Sequence, residues 1–509
     1  MAAMFTVDFQ NCFIFIILCL LSTIFYSLFV VRKTKAGSDL PPSPPSLPII
    51  GHLHLLLSLV SHKRLQRLSF KYGPLLHLRV FSAPILLVSS ASIAYEIFKA
   101  QDLNISTRNL STNEGSLFFG SLSFIAAPYG DNWKFMKKLM VTNLLGPQAL
   151  ERSRGIRKDE VNRFYSDILD KAMRKESVGI GEEAMKLINN IICKMLIGRS
   201  CSEENGEAEK VRGLLAKTDS FLKKFFVAAI LRMSLGISLF KKELTGVSLR
   251  YNELLEKFLV EYEEKLDQEH HHQGSEMLDV LLEACRDGKI TRNHVKALFV
   301  DLFVASTDTT VHAIEWTMAE IISNSKVLER LREEIGSVVG ETRLIQEMDL
   351  PNLPYLQGVV KEGLRLHPTA PLVPRSFQEG CKIRGFDVAE KTTLVVNLYA
   401  IMRDPEIWED PDEFKPERFL ASSRSGQEEE IAREEILKYI PFGSGRRGCP
   451  GANLAYVYVG NVIGVMVQCF DWKIQGDKIN MNEAVGALSL TMAHPLKCVP
   501  VPRTLFSSV

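Results

Sequence analysis

The sequence predicts a mainly α protein with small β-sheets: one large helical body behind an N-terminal transmembrane helix. Three observations predict it. The segments 151–175, 250–267, 292–324 and 452–469 repeat apolar residues at the spacing of one helix face. Segments 71–98 and 381–399 carry short β-branched runs bounded by glycine and proline, the pattern of a small sheet. The stretch Cys12–Val31 holds no charge, and at about 1.5 Å of rise per residue it crosses the roughly 30 Å of a bilayer's hydrocarbon.

Taken in order, residues 1–11 are a short lumenal N-terminus and 12–31 an uncleaved anchor, because Asp8 is the one charge before it and a signal peptide would open on basic residues. Arg32, Lys33 and Lys35 follow at once, so the positive-inside bias leaves everything after them in the cytosol. Residues 32–50 form a basic and proline-rich hinge. Five of the nine residues Leu40–Pro48 are proline, which favours a stiff extended segment able to hold a body off the membrane. Residues 51–509 are the catalytic body, with no internal repeat at a period of roughly 20–50 residues.

Composition removes whole classes. With 46% hydrophobic and 24% charged residues the chain is neither disordered nor a small disulfide scaffold. Sixty-one basic against 60 acidic residues leave a net charge of +1, without the field a phosphate-backbone binder needs, so no nucleic acid is expected. The nine cysteines are scattered with no CxxC pair, which reads as a reducing compartment and no zinc. The His270–His272 run lies between charged residues and reads as a solvated loop. Asn104-Ile-Ser and Asn109-Leu-Ser are glycosylation sequons that a cytosolic body would not expose to the modifying machinery.

The most informative segment is Pro441-Phe-Gly-Ser-Gly-Arg-Arg-Gly-Cys-Pro-Gly451, ahead of the apolar helical run from Ala452. Cys449 sits at that helix's N-terminus, where unsatisfied N–H groups and the positive end of the dipole favour a thiolate, the form a metal ligand takes. Pro450 suits the first helical turn. The glycines permit sharp turns and close approach to a flat cofactor. Arg447 can then meet an anionic substituent, and Phe442 can shield the sulfur. Gly443-Ser-Gly445-Arg-Arg-Gly448 also matches GxGxxG formally, with Asp471 as the distant acid. That fit is poor, since Pro450 delays the helix and the preceding residues make a weak buried strand.

This segment resembles the haem-binding loop of the cytochrome P450 family, Phe-x-x-Gly-x-Arg-x-Cys-x-Gly, with Phe442, Gly445, Arg447, Cys449 and Gly451 at every defined position. The resemblance covers nearly the whole chain and implies the P450 fold, with Cys449 as the thiolate ligand of a haem b (iron protoporphyrin IX). Glu362-Gly-Leu-Arg365 matches the family's Glu-x-x-Arg, and the i, i+3 spacing puts both side chains on one helix face. Arg418, in Pro416-Glu-Arg-Phe419, resembles the third member of that structural network. Trp133 and Lys137 match a Trp-x-x-x-Arg/Lys element, and Arg375 resembles a further partner of the haem propionates.

Within 292–324, opened by Thr291 as N-cap, Ala305-Ser-Thr-Asp-Thr-Thr310 crowds a helix interior with hydroxyl and β-branched side chains. Asp308 and Thr309 match the family's acid–alcohol pair for proton delivery in oxygen activation. Ser306 stands where the family usually has glycine, which keeps open a peroxide-rearranging haem-thiolate protein as the alternative. By the same analogy Phe303, Ala305, Val373 and Leu488 line a cavity for a small apolar substrate. Only a short stretch follows Cys449, so electrons from NADPH are expected through a separate membrane-bound NADPH-cytochrome P450 reductase, docking on the cysteine side. The hinge, the PERF element and the cysteine loop resemble plant microsomal members, which implies single-pass anchoring in the endoplasmic reticulum. The stretches around Leu350–Pro368 and Phe414–Ser423 resemble a subfamily that tailors triterpenes such as thalianol and arabidiol, with flavonoid-modifying relatives nearby.

Overall fold

The computed structural model describes residues 15, 17–22, 39–57, 62–108, 120, 122–198, 213–214, 241–268, 277–420, 438–474, 476–484 and 489–503. Most of the 12–31 anchor, residues 1–11, residues 32–38, the histidine run, the Asn109 sequon and Leu488 lie outside them.

The principal helices are α1 (His62–Tyr72), α2 (Ala91–Ala100), α3 (Asp131–Met140), α4 (Arg154–Met173), α5 (Ile180–Ile197), α6 (Lys241–Gln268), α7 (Met277–Arg286), α8 (Arg292–Ser323), α9 (Ser325–Val339), α10 (Pro354–Leu366) and α11 (Ala452–Cys469). The expected long helices are therefore present with bounds shifted by a few residues. Helix α8 starts at Thr291 as expected, with the Thr291 N–H donating to His294 Nδ1 at 3.1 Å. Helices α8 and α11 are long and apolar enough to cross a membrane, but both are mostly buried within the protein and form its centre. They pack with α5, α9 and α10 around residues such as Phe299, Ile314 and Trp316. Each such large apolar side chain contributes about 1.5–3 kcal/mol by leaving water.

Three small sheets flank this helical mass. Strands β1 (Leu75–Val80), β2 (Ala83–Val88), β7 (Thr393–Asn397) and β4 (Leu372–Ser376) form one, in the order β1-β2-β7-β4. The hairpin β5 (Cys381–Ile383) with β6 (Phe386–Val388) is the second. Strands β3 (Val178–Gly179), β9 (Lys497–Pro502) and β8 (Phe470–Ile474) make the third.

Two expectations change. The proline segment from Asp39 onward is fastened to the body: the Pro42 carbonyl accepts the His77 N–H at 2.9 Å, Pro44 meets His52 Nε2 at 2.9 Å, and Asp39 accepts from Asp387 at 2.7 Å. Polyproline carbonyls have no internal partners, so a neighbouring strand satisfies them, and any free hinge ends before Asp39. Cys193 is paired in a disulfide, against the expectation of free thiols throughout. Asp471, the distant acid of the GxGxxG match, is engaged by Arg332 on the surface at 2.7 Å. The Asn104 sequon is occupied structurally: its Oδ1 accepts the N–H groups of Gln378 and Glu379, both at 2.8 Å, and Ser106 is buried.

Candidate functional site

Helix α11 begins at Ala452 with Gly451 as its N-cap, so Pro450 precedes the cap rather than occupying the first turn. The loop before it closes on itself. Cys449 N–H donates to the Phe442 carbonyl at 3.0 Å and Gly448 N–H to that of Gly445 at 2.9 Å. Gly443 and Gly445 sit at φ +69 and +72, a region only glycine enters without strain. Phe442 packs edge-on against Tyr456 at 5.1 Å. Beside Gly451, a Cβ would meet only Cys449 Sγ, in ordinary contact.

Cys449 is surface-accessible, yet enough protein surrounds the thiol that burial raises its pKa; the Gly451 N–H and the charge of Arg108 act the other way. A cation at the sulfur would act in the same direction as the Gly451 N–H and Arg108, toward the ionised form.

Three guanidiniums converge nearby. Arg447 donates to the carbonyls of Ser106 (2.6 Å), Phe124 (3.3 Å) and Ala127 (2.5 Å). Arg375, on β4, donates to Pro374 (2.9 Å) and to Arg447 (3.1 Å). Arg108 reaches the Ile125 carbonyl at 3.5 Å, and its Nε is buried without a hydrogen-bond partner. Burial and mutual repulsion lower the pKa of Arg375 far and bring that of Arg447 to about 10. Among the described residues none of the three has a carboxylate within ion-pair distance. Buried cations satisfied only by carbonyls fit an anionic ligand, and the two carboxylates of a porphyrin meet that requirement.

Trp133 and Lys137 come to the same place as these guanidiniums. Trp133 Nε1 donates to the Phe124 carbonyl at 3.1 Å, its ring stacks on Phe124 at 5.1 Å, and the Arg447 guanidinium lies over it at 4.3 Å. Lys137 Nζ donates to the Arg446 carbonyl at 2.9 Å, and burial lowers its pKa.

The expected network is complete. Glu362 and Arg365, fully buried on α10, pair at 2.7 and 2.8 Å. Arg365 also donates to the carbonyls of Met402 and Pro411, both at 2.8 Å, and Arg418 Nε reaches Glu362 at 3.2 Å. An aromatic relay leads on to the cysteine loop: Phe419 against Tyr439 at 5.0 Å, Tyr439 bonded to Tyr456 at 3.1 Å, Tyr456 against Phe442.

On α8, Ala305 is exposed while Ser306, Asp308 and Thr309 are partly so, within a helix whose neighbouring turns are buried. Ser306 and Thr309 donate their hydroxyls to the carbonyls of Leu302 (2.5 Å) and Ala305 (2.6 Å), the back-bonding that lets such residues sit mid-helix. Phe303 is buried in the main core and Val373 is half-buried on β4, so Phe303 acts through packing.

Two residues here escaped the sequence reading. Arg108 is one; its signal was that it is the lone charge between Asp102 and Glu114. The other is Asp301, a single acid inside the apolar run Ala297–Ala305. It accepts from Ser123 Oγ at 2.7 Å and from the Ile125 N–H at 3.3 Å, tying α8 to the segment that also receives Trp133 and Arg447. Burial pushes its carboxyl up to about 7, against the opposing pull of Ser123, the Ile125 and Phe124 N–H groups and Arg108. A folded value above the unfolded one means that this group stabilises fully at low pH and that the contribution is lost as pH rises toward about 7. Asp301→Asn removes that dependence, so its melting temperature relative to the wild type is expected to rise between mildly acidic and mildly alkaline pH. A difference constant across that range would contradict the assignment.

The chain matches the cytochrome P450 family over residues 41–497. It is 65% identical to cytochrome P450 705A5 of Arabidopsis thaliana, over 99% of this chain and all of that one, and 62% identical to cytochrome P450 705A22 of the same plant, over 99% of each. It is 39% identical to 3,9-dihydroxypterocarpan 6A-monooxygenase of Glycine max, over 96% and 98% of the two chains. A zebra fish cytochrome P450 solved with progesterone superposes with TM-score 0.72 at 24% identity, covering 87% of this chain and 99% of that one, a likeness of fold.

Proposed function

Because the chain belongs to the cytochrome P450 family, it is a haem-thiolate monooxygenase taking electrons from a redox partner, and we propose that it oxidises an apolar plant triterpenoid, with a flavonoid or phenolic as the next candidate. The observation that carries the site assignment is the convergence of buried Arg375 and Arg447 with the buried Nε of Arg108, unmatched by carboxylates among the described residues, around the loop of an accessible cysteine. The substrate class rests on the resemblance of the stretches around Leu350–Pro368 and Phe414–Ser423 to a triterpene-tailoring subfamily. The soybean enzyme, named for a phenolic substrate, supports the second candidate.

In this reading Cys449 is the iron ligand. Arg108, Arg375 and Arg447 hold the porphyrin carboxylates, and Trp133, Lys137, Phe442 and Gly451 shape the walls. When bound, the haem supplies the electron-accepting, oxygen-activating centre whose O–O cleavage an electron-rich sulfur favours. The chain's own task is to bring protons and exclude stray water. Thr309 donates its hydroxyl to Ala305, which leaves its oxygen lone pairs to accept a proton carrier. Asp308, one residue earlier on the accessible stretch, is the group that exchanges protons with it. Ser306, which kept the peroxide-rearranging alternative open, uses its hydroxyl on Leu302. Ala305 and Val373 border the substrate, and Leu488 is assigned to the same wall by family analogy.

The partner is NADPH-cytochrome P450 reductase, approaching the face where Lys134, Lys137 and Lys138 of α3 lie with Tyr129 around a shallow hollow of about 300 Å³. The protein is held in the endoplasmic reticulum membrane by one span at 12–31, with the body on the cytosolic side. In support, the described residues of that span are helical and their large apolar side chains exposed, Phe15 to 67% and Leu18 to 58%.

Product formation from a triterpenoid panel is expected to need both NADPH and reductase; turnover of a hydroperoxide without either would overturn the reading. Thr309→Ala should bind haem and give the thiolate spectrum while product per NADPH consumed falls on the order of 10²-fold. Unchanged coupling would remove Thr309 from proton delivery.

A further inference from the structure

The family pattern specifies Gly445 and Arg447 but leaves residue 446 open, and the structure shows that the peptide of Arg446 is gripped from both sides. Its carbonyl accepts Lys137 Nζ at 2.9 Å. Its N–H donates to Asp102 Oδ1 at 3.0 Å. Asp102 stands in the turn just past α2, far from the cysteine in sequence, with a side chain 26% exposed. Its other oxygen lies 3.3 Å from Arg446 Nε.

The packing around that carboxylate explains Gly445. A Cβ on residue 445 would overlap Asp102 Oδ1, and φ is +72. Glycine is therefore required both by the backbone and by the space Asp102 fills. From this point the turn is closed: Gly448 N–H returns to the Gly445 carbonyl, the Arg447 carbonyl accepts Arg375, and Cys449 N–H returns to Phe442. The Arg446 nitrogen is the atom by which Asp102, a residue outside the turn, anchors it three residues before the sulfur.

We propose that Asp102 is a positioning residue for the cysteine ligand, acting through the backbone N–H of Arg446 rather than through the Arg446 side chain. The proposal rests on Cys449 being the iron ligand. A carboxylate is suited to this duty because a charge-assisted bond to a backbone N–H is about twice as strong as a neutral one. The Arg446 guanidinium is half exposed and has a second partner in the Tyr129 hydroxyl at 3.0 Å. An exposed ion pair of that kind contributes little, so the two roles of Asp102 separate experimentally.

The test uses the full-length haem-loaded protein and the reduced carbon-monoxide difference spectrum, followed over time in mild denaturant. Asp102→Ala is expected to shift most of the signal from the red-shifted thiolate band to the blue-shifted band of a lost thiolate, and to speed that conversion. Asp102→Asn keeps an oxygen that accepts the Arg446 N–H and is expected to retain the red-shifted band. Arg446→Ala keeps the N–H itself and is expected to behave as wild type. A wild-type spectrum and rate in Asp102→Ala would overturn the proposal. So would Arg446→Ala converting as fast as Asp102→Ala, which would place the effect in the ion pair. Should Asp102→Ala yield no haem-loaded protein, the other two still decide: loss of the band in either overturns the proposal, and retention in both sustains it. A wild-type protein without the red-shifted band would instead refute the ligand assignment on which the proposal stands.

Discussion

Replacing Cys449 by alanine is expected to abolish the red-shifted Soret band of the reduced, carbon-monoxide-bound protein and to bring turnover to background. The sulfur is the sole soft donor on the loop that Phe442, Gly445 and Arg447 define, and its surroundings are poised between two states. Burial raises the thiol pKa, while the Gly451 N–H and Arg108 favour ionisation; a bound cation at the sulfur tips that balance toward the thiolate. Alanine removes the donor but leaves the backbone bonds of the loop, since the 449 N–H still reaches the Phe442 carbonyl. The three guanidiniums that fit the porphyrin carboxylates are also untouched. Haem should therefore still associate, weakly, without the thiolate signature. Haem content measured after extraction, set beside the difference spectrum, distinguishes loss of ligand from loss of cofactor. Survival of the red-shifted band in Cys449→Ala would place the axial ligand elsewhere and dissolve the proposed chemistry.

What could be read from the chain beforehand was what local spacing controls. The i, i+3 relation of Glu362 and Arg365 dictates a shared face on α10, and they pair there. Thr291 ahead of an apolar run marks the start of α8, and α8 starts there. What could not be read were contacts between segments far apart in sequence whose partners are backbone groups. Nothing in the periodicity of α8 says that Asp301 meets the Ile125 N–H, because every residue carries an N–H and only the fold selects one. The same holds for Trp133, whose indole N–H meets the Phe124 carbonyl. The proline segment differs for a related reason: stiffness is legible in composition, whereas docking against β1 depends on the fold bringing the His77 N–H of an edge strand to the Pro42 carbonyl.

The largest effect on stability is expected at Glu362 and Arg365. Both side chains have zero exposure, and each satisfies the other with two bonds of 2.7 and 2.8 Å. Glu362 also accepts the Lys415 N–H at 2.9 Å and Arg418 Nε at 3.2 Å, and Arg365 caps the carbonyls of Met402, Pro411 and Glu413. Removing either partner strands the other charge in the interior at a cost of about 3–5 kcal/mol, comparable with the roughly 5–15 kcal/mol that holds a typical domain folded. Glu362→Ala and Arg365→Ala should consequently accumulate little haem-loaded protein, and what accumulates should melt far below the wild type. Arg365→Lys should do nearly as badly, because one ammonium cannot reproduce a planar fork that reaches a carboxylate and three carbonyls together. Arg418→Ala should be milder: its side chain is 12% exposed, and its loss leaves Glu362 with Arg365 and the Lys415 N–H. The ordering is the sharp part of the prediction. Thermal unfolding and haem retention for the four variants test it, and an Arg418→Ala protein as damaged as Glu362→Ala would mean that the aromatic relay from Phe419 through Tyr439 to Phe442, rather than the buried pair, carries the support beneath the cysteine loop.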